Sequence, residues 1–199
     1  LPHPNDRIAA LIGARICHDL ISPVGAIGNG LELLELSGQA ATPELSLVAA
    51  SAADASARIR LFRLAFGDAG TGQPVTGHEV VEILSAVHGT GRISVEWQPP
   101  GDSPRTAVEA VLLALLCAET ALAGSGRITV TCTDGRWRVH AAADRLSPDP
   151  ALWNMLDGAA PPDRIAPAAV QFLLLPGACA VANMNLAVQH AENELEIRL

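Results

Sequence analysis

The chain contains no lysine. All 13 basic residues among its 199 are arginines, which we read as genome bias rather than function. Positive charge is also scarce: against 21 acidic residues it leaves a net charge of −8. That excludes nucleic acid as the main partner, because a phosphate backbone demands clustered positive charge. Aromatic residues make up only 3% of the sequence while 49% is hydrophobic, so material for a core is ample and that core is predicted to be aliphatic. The cysteines are Cys17, Cys117, Cys132 and Cys179, with no CxxC pair and no metal-ligand spacing. No metal site is expected, and the pattern fits free, mostly buried thiols in a reducing compartment. A basic segment followed by an apolar one is missing from the start, so no signal peptide is read there. The most apolar run, Ala110 to Ala118, lies between Glu109 and Glu119, far short of the ~18 residues of a membrane span. A cytoplasmic, soluble protein with no membrane partner is expected.

What is present is organised around one stretch near the start. From Asp6 to Leu36, apolar residues recur at Ile12, Ile16, Leu20, Val24, Ile27, Leu31 and Leu34. Each follows the last by three or four positions, the spacing of an amphipathic helix. At about 100° per residue, His18 falls on the opposite side from this stripe. Arg15 and Ser22 flank it at i−3 and i+4, and Gly25 and Asn29 continue the same face. Asp19 follows the histidine directly. Pro23, five residues on, removes a helical hydrogen bond and predicts a kink.

A second helix follows the breakers Ser37 to Ala41, with Thr42 as N-cap, Pro43 in the first helical position and Glu44 at the positive end. Leu45, Val48, Ala52, Ala55, Ile59, Phe62 and Phe66 form a heptad seam along it. A two-helix hairpin cannot bury such a seam alone, so a four-helix bundle made by two chains is predicted. Gly67 to Pro74 is rich in breakers and divides the chain into a helical hairpin over 1–68 and a second domain over 75–199. There, Thr76 and Glu79 make a capping box with a Val75–Val80 staple, opening a helix to about His88. A strand over 92–97, a helix over 105–123 opened by Ser103-Pro104, and a hairpin turned at Asp134-Gly135 come next. A short helix over 152–156, a longer one over 165–175, and a strand pair over 185–190 and 194–199 complete an α/β sandwich order. The fold class expected is therefore α + α/β.

The box His18-Asp19-Leu20-Ile21-Ser22-Pro23-Val24 resembles the phospho-acceptor box of two-component histidine kinases. The longer run from Arg15 to Leu34 looks closer to the ChpT-type histidine phosphotransferases of alphaproteobacteria. The likeness is strong over residues 7–36 and holds at the level of element order elsewhere. It implies that His18 accepts a phosphoryl group from a receiver-domain aspartate and passes it to another. A neutral imidazole suits that role near pH 7, and phosphoryl transfer needs mainly positioning and charge stabilisation. Asp19 would orient the ring or assist its proton. Ser22 stands where kinases often have Thr or Asn. Arg15, Ser22, Gly25 and Asn29 would receive the partner, with Gly25 allowing close backbone approach. The implied partners are a second copy of the chain, the receiver of a CckA-like hybrid kinase, and CtrA-like and CpdR-like regulators. Mg²⁺ would sit on the receiver, with no cofactor on this chain.

The same resemblance makes the second domain similar to a histidine-kinase ATPase domain in degenerate form. Ala114 and Ala118 occupy the two asparagine positions of the kinase N-box, and a methyl group cannot ligate Mg²⁺. His140 to Leu146 holds Asp144 without the glycines of the adenine-reading box. Ile165 to Val170 lacks the glycine-rich turn that would cradle phosphates. Two other readings stay open: a sensor-kinase fragment with an atypical ATP site, and a non-catalytic dimeric module that binds receivers. Arg58, Arg60 and Arg63 are either solvated helix charges or contacts for acidic receivers. His78, His88, His140 and His190 lie in different elements and are read as structural.

Overall fold

The computed structural model describes residues 13, 20–21, 24–34, 42–67, 73–89, 91–99 and 101–199. Residues 24–34 are helical (α1), as are Gly13, Leu20 and Ile21 before them. α2 is Pro43–Phe66, and Leu45 N–H donates to the Thr42 hydroxyl at 3.3 Å, the expected cap. The two helices run antiparallel. A Cβ on Gly13 would stand 3.5 Å from the Phe66 carbonyl oxygen, whereas α1 residues from Val24 to Glu32 face Ala49 to Ser56.

The α/β part contains α3 (Gly77–His88), β1 (Ile93–Trp97), α4 (Arg105–Ala121), β2 (Gly126–Thr133) and β3 (Arg136–Ala142). α5 (Pro150–Leu156), a 3₁₀ turn (Pro167–Ala169), α6 (Gln171–Val181), β4 (Ala187–His190) and β5 (Glu194–Arg198) follow. The sheet order is β1-β2-β3-β5-β4. β1 runs parallel to β2, as the intervening α4 crossover allows, and the remaining pairs are antiparallel. One face of the sheet carries Ile128, Val130, Val139, Ala141, Leu195 and Ile197, all buried. α4 lies in the same core, with Val108, Val111, Leu112 and Leu115 inaccessible to solvent. The other face is polar, and Arg138 and Arg198 both pair with Glu196 across it.

Local chemistry accounts for the joints. Thr76 accepts from Glu79 N–H at 3.1 Å, and the staple valines Val75 and Val80 are both buried. Asp134 and Gly135 adopt positive φ (52° and 75°), which sets the two-residue turn between β2 and β3. Gly126 has φ 150°, and a Cβ there would lie 2.6 Å from the Ala142 carbonyl oxygen. Only glycine fits that position.

α4 opens at Arg105 as expected, with Pro104 in the cap position and no side-chain bond, while Ser103 is buried in a two-way backbone bridge with Val75 at 2.9 Å. The structure departs from expectation in two places. The helix expected over 165–175 is a 3₁₀ turn followed by α6, which continues past Pro176 to Val181. Proline removes the bond to the Phe172 carbonyl, yet Phe172, Leu175 and Cys179 are buried at 3–4 spacing in the core and hold the helix together. Secondly, the buried face of α2 is not the predicted seam, of which Val48 and Phe62 are exposed. Ala57, Leu61, Leu64 and Ala65, none of them in the predicted seam, belong to the same core as α3 and α4.

Candidate functional site

Of the residues singled out from sequence, Arg15, His18, Asp19 and Ser22 lie outside the described residues. Gly25 and Asn29 are described, and both line a groove between α1 and α2. Val24 and Gly28 on α1 and Ala49, Ala52 and Ala53 on α2 are among its other walls, around a volume of about 510 Å³. Small side chains on both helices leave this space open. Among the described residues no atom beyond the helix's own backbone lies within 4 Å of where a Cβ would stand on Gly25, Gly28 or Gly30, so packing against them does not demand glycine there. The apolar stripe of α1 is uncovered: Ile27 is 51% exposed, with Leu20 and Leu34 also exposed. On α2, Leu47 is 68% exposed and Val48 is similarly open. Further along the same seam Ile59 is buried, whereas Phe62 is exposed.

The C-terminal half of α2 is tied into the α/β part by polar contacts as well as by its leucines. Arg60 pairs with Glu82 of α3 at 2.8 Å. Arg105, at the start of α4, donates to the Arg63 carbonyl at 2.9 Å and so occupies one of the acceptors left open at the end of α2. Beside this joint His88 Nδ1 stands 3.4 Å from Glu119 Oε1, with the His88 side chain only 8% exposed. Burial, and secondarily Arg58, holds the His88 pKa below its ordinary value. Burial pushes the Glu119 carboxyl up, and Arg58 partly offsets this. Both charged forms are therefore disfavoured, as desolvation requires. His88 thus acts in packing, as read from sequence. The partnership with Glu119 was not legible, because it joins residues on separate helices.

In the α/β part, Ala114 and Ala118 are both 0% exposed. α6 packs across α4, and Trp153 meets Phe172 edge-on at 5.2 Å. Buried Gln171 donates to the Leu116 and Ala168 carbonyls at 3.4 and 2.9 Å. Asp144 is exposed. Among the described residues no group of three or more His, Cys, Asp or Glu side chains could hold a metal ion. No helix among them is long and apolar enough to cross a membrane.

Residues 77–194 match the family model described as histidine phosphotransferase C-terminal domain. Over 170 residues the chain is 34% identical to protein phosphotransferase ChpT of Brucella abortus (strain 2308), covering 82% of this chain and 81% of that one. A bacterial phosphotransferase solved at 1.7 Å superposes with a TM-score of 0.70 at 26% identity, covering 100% of this chain and 97% of the other. The histidine kinase domain of the blue-light activated histidine kinase of Erythrobacter litoralis EL346 gives a TM-score of 0.48 at 14% identity, over 92% of both chains.

Proposed function

The chain belongs to the histidine phosphotransferase family, and from that premise we propose that it relays phosphoryl groups between receiver-domain aspartates through His18. The single observation that carries this reading is the His18-to-Val24 box within a chain of that family. A neutral imidazole nitrogen attacks phosphorus, the aspartyl carboxylate leaves, and a phosphohistidine results. The second receiver's aspartate then attacks in the reverse sense. Asp19 holds the ring or takes up its proton. Mg²⁺ on the receiver offsets the charge that develops on the transferring group. Arg15, Ser22, Gly25 and Asn29 form the docking face around the histidine, and the open space at Gly25 supports close approach there.

Three further parts of the proposal have support in the structure. The uncovered Leu20, Ile27, Leu47 and Val48 favour a homodimer whose four-helix bundle buries them. Buried alanines at 114 and 118, beneath a closely packed α6, favour an α/β part that has lost nucleotide chemistry and needs no cofactor. Functionally, residues 1–68 serve transfer and dimerisation, and 75–199 serve docking or support. The relative, a protein phosphotransferase, supports receiver-domain partners in general; a CckA-like receiver upstream and CtrA-like and CpdR-like receivers downstream are the ones proposed from the sequence resemblance.

The test is to mix the chain with a receiver carrying labelled aspartyl phosphate and follow the label. Acid-labile label is expected on the wild type, and none on His18→Ala. Label on the mutant would move the site elsewhere, labelling from ATP alone would make the protein a kinase, and no label on the wild type would leave a binding module.

A further inference from the structure

Between Ser56 and Phe66, α2 carries Arg58, Arg60 and Arg63 and no acidic residue, in a chain whose net charge is −8. The structure sorts these three arginines. Arg58 Nε is held by Asp54 at 2.9 Å and Arg60 Nη1 by Glu82 at 2.8 Å. The Arg63 side chain is exposed and, among the described residues, makes no hydrogen bond or ion pair. Its backbone, in contrast, is fixed. The Arg63 carbonyl accepts from Arg105 at 2.9 Å, and the next two residues, Leu64 and Ala65, are buried. A guanidinium unpaired among the described residues is thus presented from a backbone anchored in the core.

Its position along the hairpin gives that charge a use. Gly13 meets Phe66 at one end of the hairpin, and Val24 to Glu32 meet Ala49 to Ser56 further along. Residues 57–65 are the portion of α2 between those two contacts. In sequence, His18 falls between Gly13 and Val24. An aspartyl phosphate arrives as a dianion, and a chain of net charge −8 repels it unless a cation stands near the point of entry. A guanidinium fork matches phosphate and carboxylate oxygens in two-point geometry.

We propose that Arg63 is a recognition residue for the phosphorylated acidic partner, steering it onto the transfer face; this rests on the phosphotransfer reading above. Arg63 also lies in the last turn of α2, where a cation complements the helix dipole. That purely structural role would act on stability, not on partner affinity, so the two are separable.

The experiment uses the full chain and one phosphorylated receiver, measuring KM and kcat for transfer with melting temperature alongside. Arg63→Ala is expected to raise KM about fivefold, with kcat within about twofold, as for loss of a rim charge. Arg63→Glu should raise KM further, and Arg63→Lys, which keeps the charge but not the two-point fork, should restore part of the loss. The wild-type KM should climb with salt more steeply than that of Arg63→Ala. Arg60→Ala, which removes an arginine already engaged by Glu82, should change KM by less than about twofold. An unchanged KM for Arg63→Ala, an equal rise for Arg60→Ala, or a change confined to melting temperature each overturns the assignment. Absence of label on the wild type instead sinks the phosphotransfer reading itself.

Discussion

Placing asparagine at positions 114 and 118, which the sequence resemblance aligns with a kinase N-box, should unfold this protein rather than give it a nucleotide site. Ala114 and Ala118 are each 0% exposed on α4, the helix at the centre of the core. Asparagine adds an amide at a site walled by aliphatic side chains. An unsatisfied buried amide costs about 1–3 kcal/mol. The extra volume costs about 1–3 kcal/mol more in a close-packed interior. Ala118→Asn should therefore lose about 2–6 kcal/mol, a large share of the ~5–15 kcal/mol that typically holds a domain together. With a urea slope of about 2–3 kcal/mol per molar, the midpoint should fall by roughly 1 M or more. Urea unfolding followed by circular dichroism measures that shift, and calorimetric titration with Mg-ATP tests for binding. A double variant that keeps the wild-type midpoint and binds Mg-ATP at micromolar concentration would refute the reasoning. Positions 114 and 118 would then face an accessible cavity rather than the core.

Ile59→Asp places a carboxylate at a buried seam position, at a cost of several kcal/mol. Monomer or aggregate is expected by light scattering, and a stable dimer would mean that the bundle is built on another face. Gly126→Ala puts a Cβ 2.6 Å from the Ala142 carbonyl and 2.8 Å from Leu122 Cδ2 at φ 150°. A loss of about 2–4 kcal/mol is expected in thermal unfolding, from strain and overlap together. Burial pushes the Cys117 thiol well up and Cys179 to about 12, and raises half-buried Cys132 as well. Native labelling at pH 8 should therefore modify Cys132 before Cys117 or Cys179, as peptide mapping would read. Because the folded Cys179 value exceeds its reference of 9.0, its contribution to stability is full below pH 9 and is lost as pH rises toward 12. A flat profile across that window would place this thiol in contact with water.

The sequence by itself determined most of the elements and supplied the residues on which the proposed site rests. Periodicity and caps are local properties, so Thr42, Thr76 and the Asp134-Gly135 turn could be read from a few neighbours and stand as expected in the structure. The box from His18 to Val24 is likewise a contiguous signal, and it led to the family that the comparisons establish. Only tertiary structure decided how α2 is used. One periodic pattern was read as the buried face, yet within the chain Ala57, Leu61, Leu64 and Ala65 are the buried ones, because α3 and α4 pack on the side that looked like the back of a seam. The same packing pairs His88 with Glu119, carries α6 past Pro176, and engages Arg58 and Arg60 while leaving Arg63 without a partner among the described residues. Each depends on which distant side chain fills the space opposite. Spacing along the chain says which face a residue points to, and only the fold says what stands there.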